Sequence, residues 1–314
     1  MHHFISFSCL TDSEFSVLKK GFIFSVLRLS PTTATSGENV FKGNAISGVD
    51  YFLFEYFNID EKAEFLVSIE GNKVFYYSSN GASPEAVQSV IRGSITKFCL
   101  QQQGYFCLHA AGIRIHNRII LFIGQKGAGK STIASYFHLR GHTVWCDDYC
   151  VLYKENDNFL AYQGETSLKI NPDTAAELNI PQKSLESVFM LHPDKVLPGE
   201  ERHIEGKYYF TNGNSTEEDK PLLIAAIFFI QNRETDPGEI IRHQNETDTF
   251  RLLMNEIMLP GFNSKNYLKI YFQSVKDLLQ VTPIYSIHSP NDITRIHEVY
   301  SAVLKFIGYD QANS

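Results

Sequence analysis

The sequence has little that would suit a membrane-spanning protein, a fibre or a disulfide-rich scaffold. Its longest uninterrupted apolar run, Leu222 to Ile230, is nine residues, whereas a membrane-spanning helix needs about 20. It has one Trp and five cysteines, and the cysteines show no paired spacing typical of disulfides or zinc. No repeat or low-complexity tract occurs. These absences predict a globular chain with reduced thiols, and we expect it to be cytoplasmic.

The chain also lacks an excess of basic residues. Lys and Arg total 28 against 35 Asp and Glu, which gives a net charge of −7. This balance argues against a broad basic face for nucleic acid but is compatible with a local phosphate pocket. The first 15 residues contain no basic segment followed by an apolar run, so they do not have the pattern of a secretory signal. We therefore expect neither a nucleic-acid nor a membrane partner.

The residues that are present predict an α/β protein with a β-rich N-terminal unit. Residues 1–95 contain short strands between turn-forming residues, with a hairpin signal at Gly71-Asn72, and close with a helix capped by Ser83. Over residues 96–314 buried strands alternate with helices, which is typical of an α/β domain. Within that domain, residues 182–220 predict irregular loops near the site. After these loops, helices and one further strand are predicted in the C-terminal part of the chain.

One motif stands out in the second unit. Residues 124–131 read Gly-Gln-Lys-Gly-Ala-Gly-Lys-Ser, a full match to the phosphate-binding glycine motif, between an apolar strand and a helical pattern. Glycines allow consecutive backbone N–H groups to surround phosphate oxygens, and the following helix adds partial positive charge. Lys130 can reach the outer phosphates and the Ser131 hydroxyl can ligate Mg²⁺. The sequence therefore predicts nucleotide binding.

Two adjacent carboxylates follow the next predicted strand. Asp147 and Asp148 end an apolar segment, which we expect to lie beside the strand that leads into the glycine motif. One carboxylate could hold the Mg²⁺ side while the other accepts a proton from an attacking hydroxyl. A solvated turn is the alternative for this pair. His109 is predicted on a buried strand just before, either as an ordinary core histidine or as a residue close to the reaction.

Four further residues are weaker candidates. Arg202 and Lys207 could clamp a transferring phosphate, or belong to an exposed charged loop. Lys169 could face the same cleft, although we expect it to be exposed. Glu165 could supply a second carboxylate on the metal side.

Three segments together carry a resemblance to a known family. LHAAGIRI, IGQKGAGKST and LRGHTVWCDDYCVL, in this order, resemble the catalytic core of HPr kinase/phosphorylase. They are closer to the diverged HPr-kinase-like proteins, which include kinases that tailor lasso peptides, and YQGETSLKINPDTAAEL is also similar to those members. The similarity covers about residues 100–235. It implies a P-loop kinase core related to HPr kinase and phosphoenolpyruvate carboxykinase.

The resemblance also implies an activity and a set of site residues. The activity is ATP-dependent phosphorylation of a serine hydroxyl on a peptide or protein, with Mg²⁺. Asp148 is expected as the base and Asp147 with Ser131 on the metal side, although the two aspartates could exchange roles, and His109 lies close to them. The residues expected to hold the nucleotide are Gly124, Gln125, Lys126, Gly127, Ala128, Gly129, Lys130, Ser131 and Thr132.

Departures from the family leave the acceptor open. The glycine-rich signature of the true HPr enzymes does not occur after the Asp pair, which argues against HPr as acceptor and against a reverse phosphorylase activity. A small-molecule hydroxyl kinase and a non-catalytic nucleotide-binding regulator are the alternatives. Neither an LSGGQ nor an NKxD motif, the marks of ABC ATPases and GTPases, is present. The oligomeric state is left open.

Overall fold

The chain is a mixed α/β protein with two large sheets. The computed structural model describes residues 5–28, 37–46, 48–58, 61–79, 82, 84–187, 207–211, 220–231, 233–243, 246–256 and 265–308. The candidates Arg202 and Ser83 lie outside these residues. In the part of the chain that is described, none of the helices combines the length and apolar character that crossing a membrane would require.

The N-terminal unit is a sheet with one short helix on it. Its elements are β1 (Ser6–Cys9), α1 (Asp12–Lys19), β2 (Phe22–Arg28), β3 (Gly37–Ala45), β4 (Tyr51–Asn58), β5 (Glu61–Ser68) and β6 (Lys73–Ser78). Among the described residues the strand order is β1-β6-β5-β4-β3-β2, antiparallel except for the parallel pair β1 and β6. The predicted hairpin is confirmed between β5 and β6, where Gly71 takes a φ of 71°.

The helix predicted after residue 83 is present but interrupted by a wider turn. It comprises α2 (Pro84–Val90), a π-helical turn (Ile91–Ile95) and α3 (Thr96–Gln102). Its buried face packs on the first sheet, and the same core includes Tyr149 and Val151 of the second unit. The helix is therefore shared between the two units, and it brings the π-helical turn next to the second sheet.

The second sheet carries the glycine motif. Its elements start with β7 (Phe106–Leu108), β8 (Ala110–Ile115), β9 (Arg118–Ile123), α4 (Lys130–Leu139), β10 (Thr143–Cys146), β11 (Cys150–Glu155) and β12 (Asn158–Tyr162). They continue with β13 (Leu168–Ile170), α5 (Pro172–Glu177), β14 (Leu185–Ser187), β15 (Tyr208–Phe210), β16 (Leu222–Ile230), β17 (Ile241–His243), α6 (Glu246–Glu256), α7 (Lys265–Val281), β18 (Ile284–Ile287) and α8 (Ile296–Phe306).

The order of the second sheet places several chain segments at one edge. Within the described residues the order is β10-β8-β9-β16-β12-β11-β7, with β18 parallel to the second half of β16 and β17 antiparallel to β18. Strand β9 is buried along its length from Ile119 to Ile123, between helices on both faces. Short strands β13, β15 and β14 form a small separate sheet. Residues 182–220, expected to be irregular, thus contain β14 and β15.

One expectation about the Asp pair is wrong in detail. Strand β10, which leads to the pair, does not lie beside β9, because β8 runs between them and is antiparallel to both. Two antiparallel steps make β10 and β9 run in the same direction, so both end at the same edge of the sheet. The break between β7 and β8 lies at that edge too. It contains His109, which was expected inside a strand.

Candidate functional site

The glycine loop, residues 124–129, joins β9 to α4 at this edge. Gly124, Gly127 and Gly129 all take positive φ values of 146°, 85° and 104°, a backbone conformation that other residues adopt only with strain. At Gly124 a side chain is excluded as well, since a Cβ there would lie 2.9 Å from the carbonyl oxygen of Ile230. The glycines therefore set the path of the loop, and α4 begins directly after it.

Lys130 starts α4 and turns its side chain back over the loop. Its Nζ donates hydrogen bonds to the carbonyl oxygens of Gly124 at 2.6 Å and Gln125 at 3.3 Å. The residue is 8% exposed. Burial lowers the pKa of the Lys130 ammonium, and the nearby charges of Glu256, Asp147 and Asp148 counter part of that effect. The cation is therefore held inside the site by carbonyl oxygens, which a phosphate could replace.

Asp147 is buried and forms hydrogen bonds both to Ser131, next to the glycine loop, and to Lys169 on the other side. Its carboxylate accepts hydrogen bonds from the Ser131 hydroxyl at 3.0 Å and from the backbone N–H of Lys169 at 2.8 Å. Burial, and then the charge of Asp148, raises the pKa of Asp147 to about 6, against these two hydrogen bonds. A buried carboxylate with a raised pKa favours a nearby cation.

Asp148 differs sharply from its neighbour. Its backbone takes a φ of 67° and its side chain is 51% exposed. Partial burial alone would raise the pKa of Asp148, but the ion pair with Lys169, Nζ to Oδ2 at 2.7 Å, outweighs it and lowers the pKa. Lys169, expected at the surface, instead faces the cleft. The result is an accessible, ionised carboxylate beside a buried one.

His109 belongs to a chain of polar groups behind Lys130. Its Nδ1 lies 3.5 Å from Lys130 Nζ and 3.4 Å from a carboxylate oxygen of Glu256. The backbone N–H of His109 also donates to the carbonyl oxygen of Glu256 at 2.9 Å. Glu256, at the end of α6, is 5% exposed. His109 is therefore held by Glu256 and faces Lys130. Among the described residues it makes no hydrogen bond to Asp147 or Asp148.

A cavity of about 270 Å³ brings these groups together. Lys207 and Asn171 line it on one side and Arg233 on the other. Arg233 follows β16, and its Nη2 would lie 3.5 Å from a Cβ placed on Gly129, so the guanidinium lies over the glycine loop. The predicted residues that line the cavity are His109, Lys126, Gly127, Gly129, Lys130, Ser131, Thr132, Asp147 and Asp148, together with the weaker candidates Lys169 and Lys207. Gly124, Gln125 and Ala128 belong to the loop behind it.

Glu165 lies next to the Asp pair on the side away from the loop. Its carbonyl oxygen accepts the backbone N–H of Asp147 at 2.9 Å, and its carboxylate accepts the N–H of Ser167 at 3.2 Å. It lines a smaller crevice that also borders both aspartates. The structure therefore brings Glu165 close to the pair, and Glu165 lines this crevice but not the cavity that contains Ser131.

Sequence reasoning missed three charged residues of this region. Arg233 and Glu256 come from the ends of β16 and α6, and Lys97 comes from α3, where burial lowers the pKa of its ammonium against the charge of Asp148. None of them belongs to a local motif. Only the order of strands in the second sheet and the packing of α3 bring them to the site.

Comparison with known proteins finds similarity at the level of structure. No protein-family model matches the chain, and no curated protein matches it either. Among solved structures, the chain is similar to the HPr(Ser) kinase/phosphatase from Coxiella burnetii at 13% sequence identity. The match covers 64% of this chain and 95% of that one, with a TM-score of 0.29. A TM-score this low does not define a shared fold, so the geometry of the site has to carry the functional conclusion.

Proposed function

We propose that this protein is a P-loop kinase that transfers the γ-phosphoryl group of ATP to a hydroxyl group. The observation that carries the proposal is the hydrogen bond between Ser131 and the buried Asp147, at 3.0 Å, with Lys130 and the accessible Asp148 around the same cavity. Phosphoryl transfer uses a loop that binds the phosphates, two oxygen ligands for a cation and a separate carboxylate base. A nucleotide-binding module without transfer would need only the first.

The glycine loop is proposed to hold the triphosphate. Its backbone N–H groups and the start of α4 supply fixed positive potential, and Lys130 adds a full charge. A second, mostly apolar pocket of about 30 Å³ shares Gly129, Thr132 and Arg233 with the cavity and continues towards Pro290 and Ile293. We propose that the nucleoside lies against this apolar lining, since the lining begins where the phosphate cavity ends; the enclosed space alone is too small to hold a nucleoside.

The residues present fit Mg²⁺. Ser131 and Asp147 offer two hard oxygen ligands, and Mg²⁺ bound with a nucleotide uses one or two protein oxygens together with phosphates and water. Among the described residues no group of three or more His, Cys, Asp and Glu side chains could hold a metal ion. When bound, the ion would neutralise charge on the phosphates.

Asp148 is proposed as the base. Its ion pair with Lys169 keeps the carboxylate ionised at neutral pH, and its exposure leaves it accessible to an acceptor hydroxyl. The hydroxyl proton would pass to Asp148 as the oxygen attacks the γ-phosphorus and the bond to the β,γ-bridging oxygen breaks. Lys130 and Arg233 would stabilise the charge that develops on the transferred group and on ADP.

The proposed acceptor is a serine of a peptide or protein. This choice rests on the resemblance of the motifs to HPr-kinase-like proteins that tailor peptides, a lasso precursor peptide being the most specific case. A small-molecule hydroxyl acceptor is the alternative. We expect the protein to act in the cytoplasm, where ATP is available.

Incubation of the purified full chain with [γ-³²P]ATP and Mg²⁺ tests the proposal. The acceptors are a library of nine-residue peptides with a central serine, the same library with alanine instead, HPr, and glycerol as a small hydroxyl compound. We expect label in the serine library alone. Label in HPr or glycerol alone would replace the proposed acceptor, and ATP binding without label or hydrolysis would leave a nucleotide-binding regulator.

A further inference from the structure

The Asp pair borders a second opening that contains no residue of the glycine loop. This crevice, about 10 Å³ in the structure, lies between the aspartates and the π-helical turn of the N-terminal unit. It shares Asp147, Asp148 and Lys169 with the phosphate cavity. Those three residues therefore form a partition with the phosphate cavity on one side and the N-terminal unit on the other.

We propose that the N-terminal unit forms one wall of the acceptor site, and that the lack of a side chain at Gly93 keeps the approach to Asp148 open for the acceptor serine. The inference rests on the proposed function. In phosphoryl transfer the attacking and leaving oxygens lie on opposite sides of the phosphorus. Because the glycine loop would hold the leaving side, the acceptor has to approach the γ-phosphate from the side of Asp148, and the crevice opens next to Asp148.

Two hydrogen bonds hold the wall in place around the Asp pair. The hydroxyl of Tyr149, the residue after Asp148, donates to the carbonyl oxygen of Arg92 at 3.1 Å. The hydroxyls of Ser89 and Tyr209 lie 3.1 Å apart, which connects α2 to the small sheet. Tyr149 also belongs to the buried core of the N-terminal unit. The wall is thus part of the same packed structure as the aspartates.

The π-helical turn is the part of the wall that faces the crevice. The backbone N–H and the hydroxyl of Thr96 both donate to the carbonyl oxygen of Ile91, five residues earlier. Such turns are rare inside helices and often occur at functional sites. Here the turn lies beside Asp148 and brings Arg92 and Gly93 to the crevice.

The groups around the crevice favour a peptide over a small anionic acceptor. Arg92 and Lys169 are cationic, whereas Glu165 and Asp148 are anionic, and the hydroxyl of Ser89 both donates and accepts. A site for an anionic metabolite would need cations without competing carboxylates. A peptide backbone presents N–H donors and C=O acceptors in alternation, so it suits a lining of mixed character. We therefore propose that a peptide segment lies along the mouth of the crevice, with its serine next to Asp148, since the crevice itself holds only about 10 Å³.

Gly93 offers a direct way to obstruct this approach. A Cβ at this position would meet no atom within 4 Å, and the backbone φ is not positive, so a larger residue fits without backbone strain. The new side chain would occupy open space at a position that lines the crevice. Gly93→Leu is the test variant. Gln88→Leu, at an exposed position of α2 outside the crevice, is the matched control.

The experiment measures labelling of the serine peptide library by [γ-³²P]ATP and, separately, binding of a fluorescent ATP analogue. We expect Gly93→Leu to reduce peptide labelling at least about tenfold, the effect of a few misplaced methylene groups in a fitted site. ATP binding should stay within about twofold of wild type, and Gln88→Leu should match wild type in both. Equal peptide labelling by Gly93→Leu and wild type would overturn the inference and leave the proposed function intact.

Failure of the proposed function has a different signature. If wild type binds ATP but labels no peptide, the peptide acceptor is wrong, and ATP hydrolysis by the same proteins decides the role of the crevice. Water also has to attack beside Asp148, so reduced hydrolysis in Gly93→Leu would keep the crevice as the approach side. Unchanged hydrolysis would overturn it. Loss of ATP binding in wild type itself would reject both proposals.

Discussion

The two sides of the candidate site are built in opposite ways. The glycine loop side consists of consecutive residues, 124–132, whose glycines and helix start determine its shape locally. The aspartate side is assembled from four separate stretches, around residues 89–93, 147–149, 165–169 and 207–209. The first needs only a short segment between a strand and a helix, whereas the second needs the N-terminal unit and the small sheet in place.

This difference predicts how each side responds to change. On the loop side, binding comes from many backbone N–H groups, so one side chain contributes a part of the affinity. On the aspartate side, single carboxylates have single tasks, and their properties depend on contacts made by distant residues. Substitutions should therefore separate nucleotide affinity from transfer rate, and the following variants test that separation.

The largest expected effect is from Asp148→Asn. Loss of the proton acceptor should reduce phosphoryl transfer by about 10²- to 10⁴-fold, while ATP·Mg²⁺ affinity stays nearly unchanged because Asp148 acts only when the hydroxyl attacks. Transfer assays and nucleotide titrations on the variant check this. Asp157→Asn, in an exposed turn, serves as control. A loss of Mg²⁺ affinity in Asp148→Asn, with only a rate loss in Asp147→Asn, would show that the roles are exchanged.

Lys130→Ala should affect binding and rate together. Removing one preorganised cation costs about 10²- to 10³-fold in rate, and nucleotide affinity should fall too because Lys130 lies over the glycine loop. The melting temperature should change little, since the side chain bonds only to two loop carbonyl oxygens and, at 3.5 Å, to His109. ATP consumption and a thermal melt measure both, with Lys305→Ala as control. Full turnover in a folded Lys130→Ala protein would contradict the kinase proposal.

Asp147→Asn should change the dependence on Mg²⁺. If Asp147 and Ser131 hold the ion, the Mg²⁺ concentration for half-maximal activity should rise by about 10- to 100-fold, and high Mg²⁺ should restore part of the rate. Titration of activity against Mg²⁺ at saturating ATP checks this. If neither Asp147→Asn nor Asp148→Asn changes the Mg²⁺ requirement or the rate, the pair is a solvated turn.

His109→Ala should have a smaller effect than either aspartate. His109 contacts Lys130 and Glu256 and has no described hydrogen bond to the Asp pair. Its loss should reduce transfer by about fivefold, the value of one ordinary hydrogen bond, and leave ATP affinity nearly unchanged. Kinetics with varied ATP separate the two quantities. A loss as large as that of Asp148→Asn would instead place His109 in the reaction.

The smallest effect is expected outside the site, at Glu64. This buried carboxylate of β5 pairs with Lys19 at 2.5 Å and Lys62 at 3.1 Å. Burial alone would raise the pKa of Glu64, but the two lysines lower it. Its stabilisation is therefore present above the unfolded-state pKa and is lost as the pH falls through the lowered folded-state pKa. Glu64→Gln should cost about 1 kcal/mol near pH 7, less at acidic pH, and should not change phosphoryl transfer.

Urea unfolding at pH 7 and at pH 3 measures that difference. A destabilisation that grows towards acidic pH would contradict the sign of the pKa shift. Equal transfer rates in Glu64→Gln and wild type would confirm that a modest loss of stability in the first sheet does not change the activity of the candidate site.

Prediction from sequence worked where neighbouring residues determine the structure. The hairpin at Gly71 and the strand, glycine loop and helix around residues 124–139 are visible in short windows, since turns and helix starts depend on adjacent residues. The insertion of β8 between β9 and β10 was not predictable in this way, because strand order depends on which surfaces pack. The break at His109 has the same cause, as its N–H bonds to Glu256, far along the chain.

The glycine loop is a local feature, since its φ values and the position of Lys130 follow from eight consecutive residues. The sequence also placed two carboxylates after one strand, but their different properties came from tertiary contacts. Asp147 is buried against Ser131, whereas Asp148 is exposed and paired with Lys169. Burial raises the pKa of a carboxyl group and a cationic neighbour lowers it, and both effects depend on what packs around the group. Gly93 reaches the crevice beside these aspartates only through tertiary packing, because it belongs to a helix of the N-terminal unit.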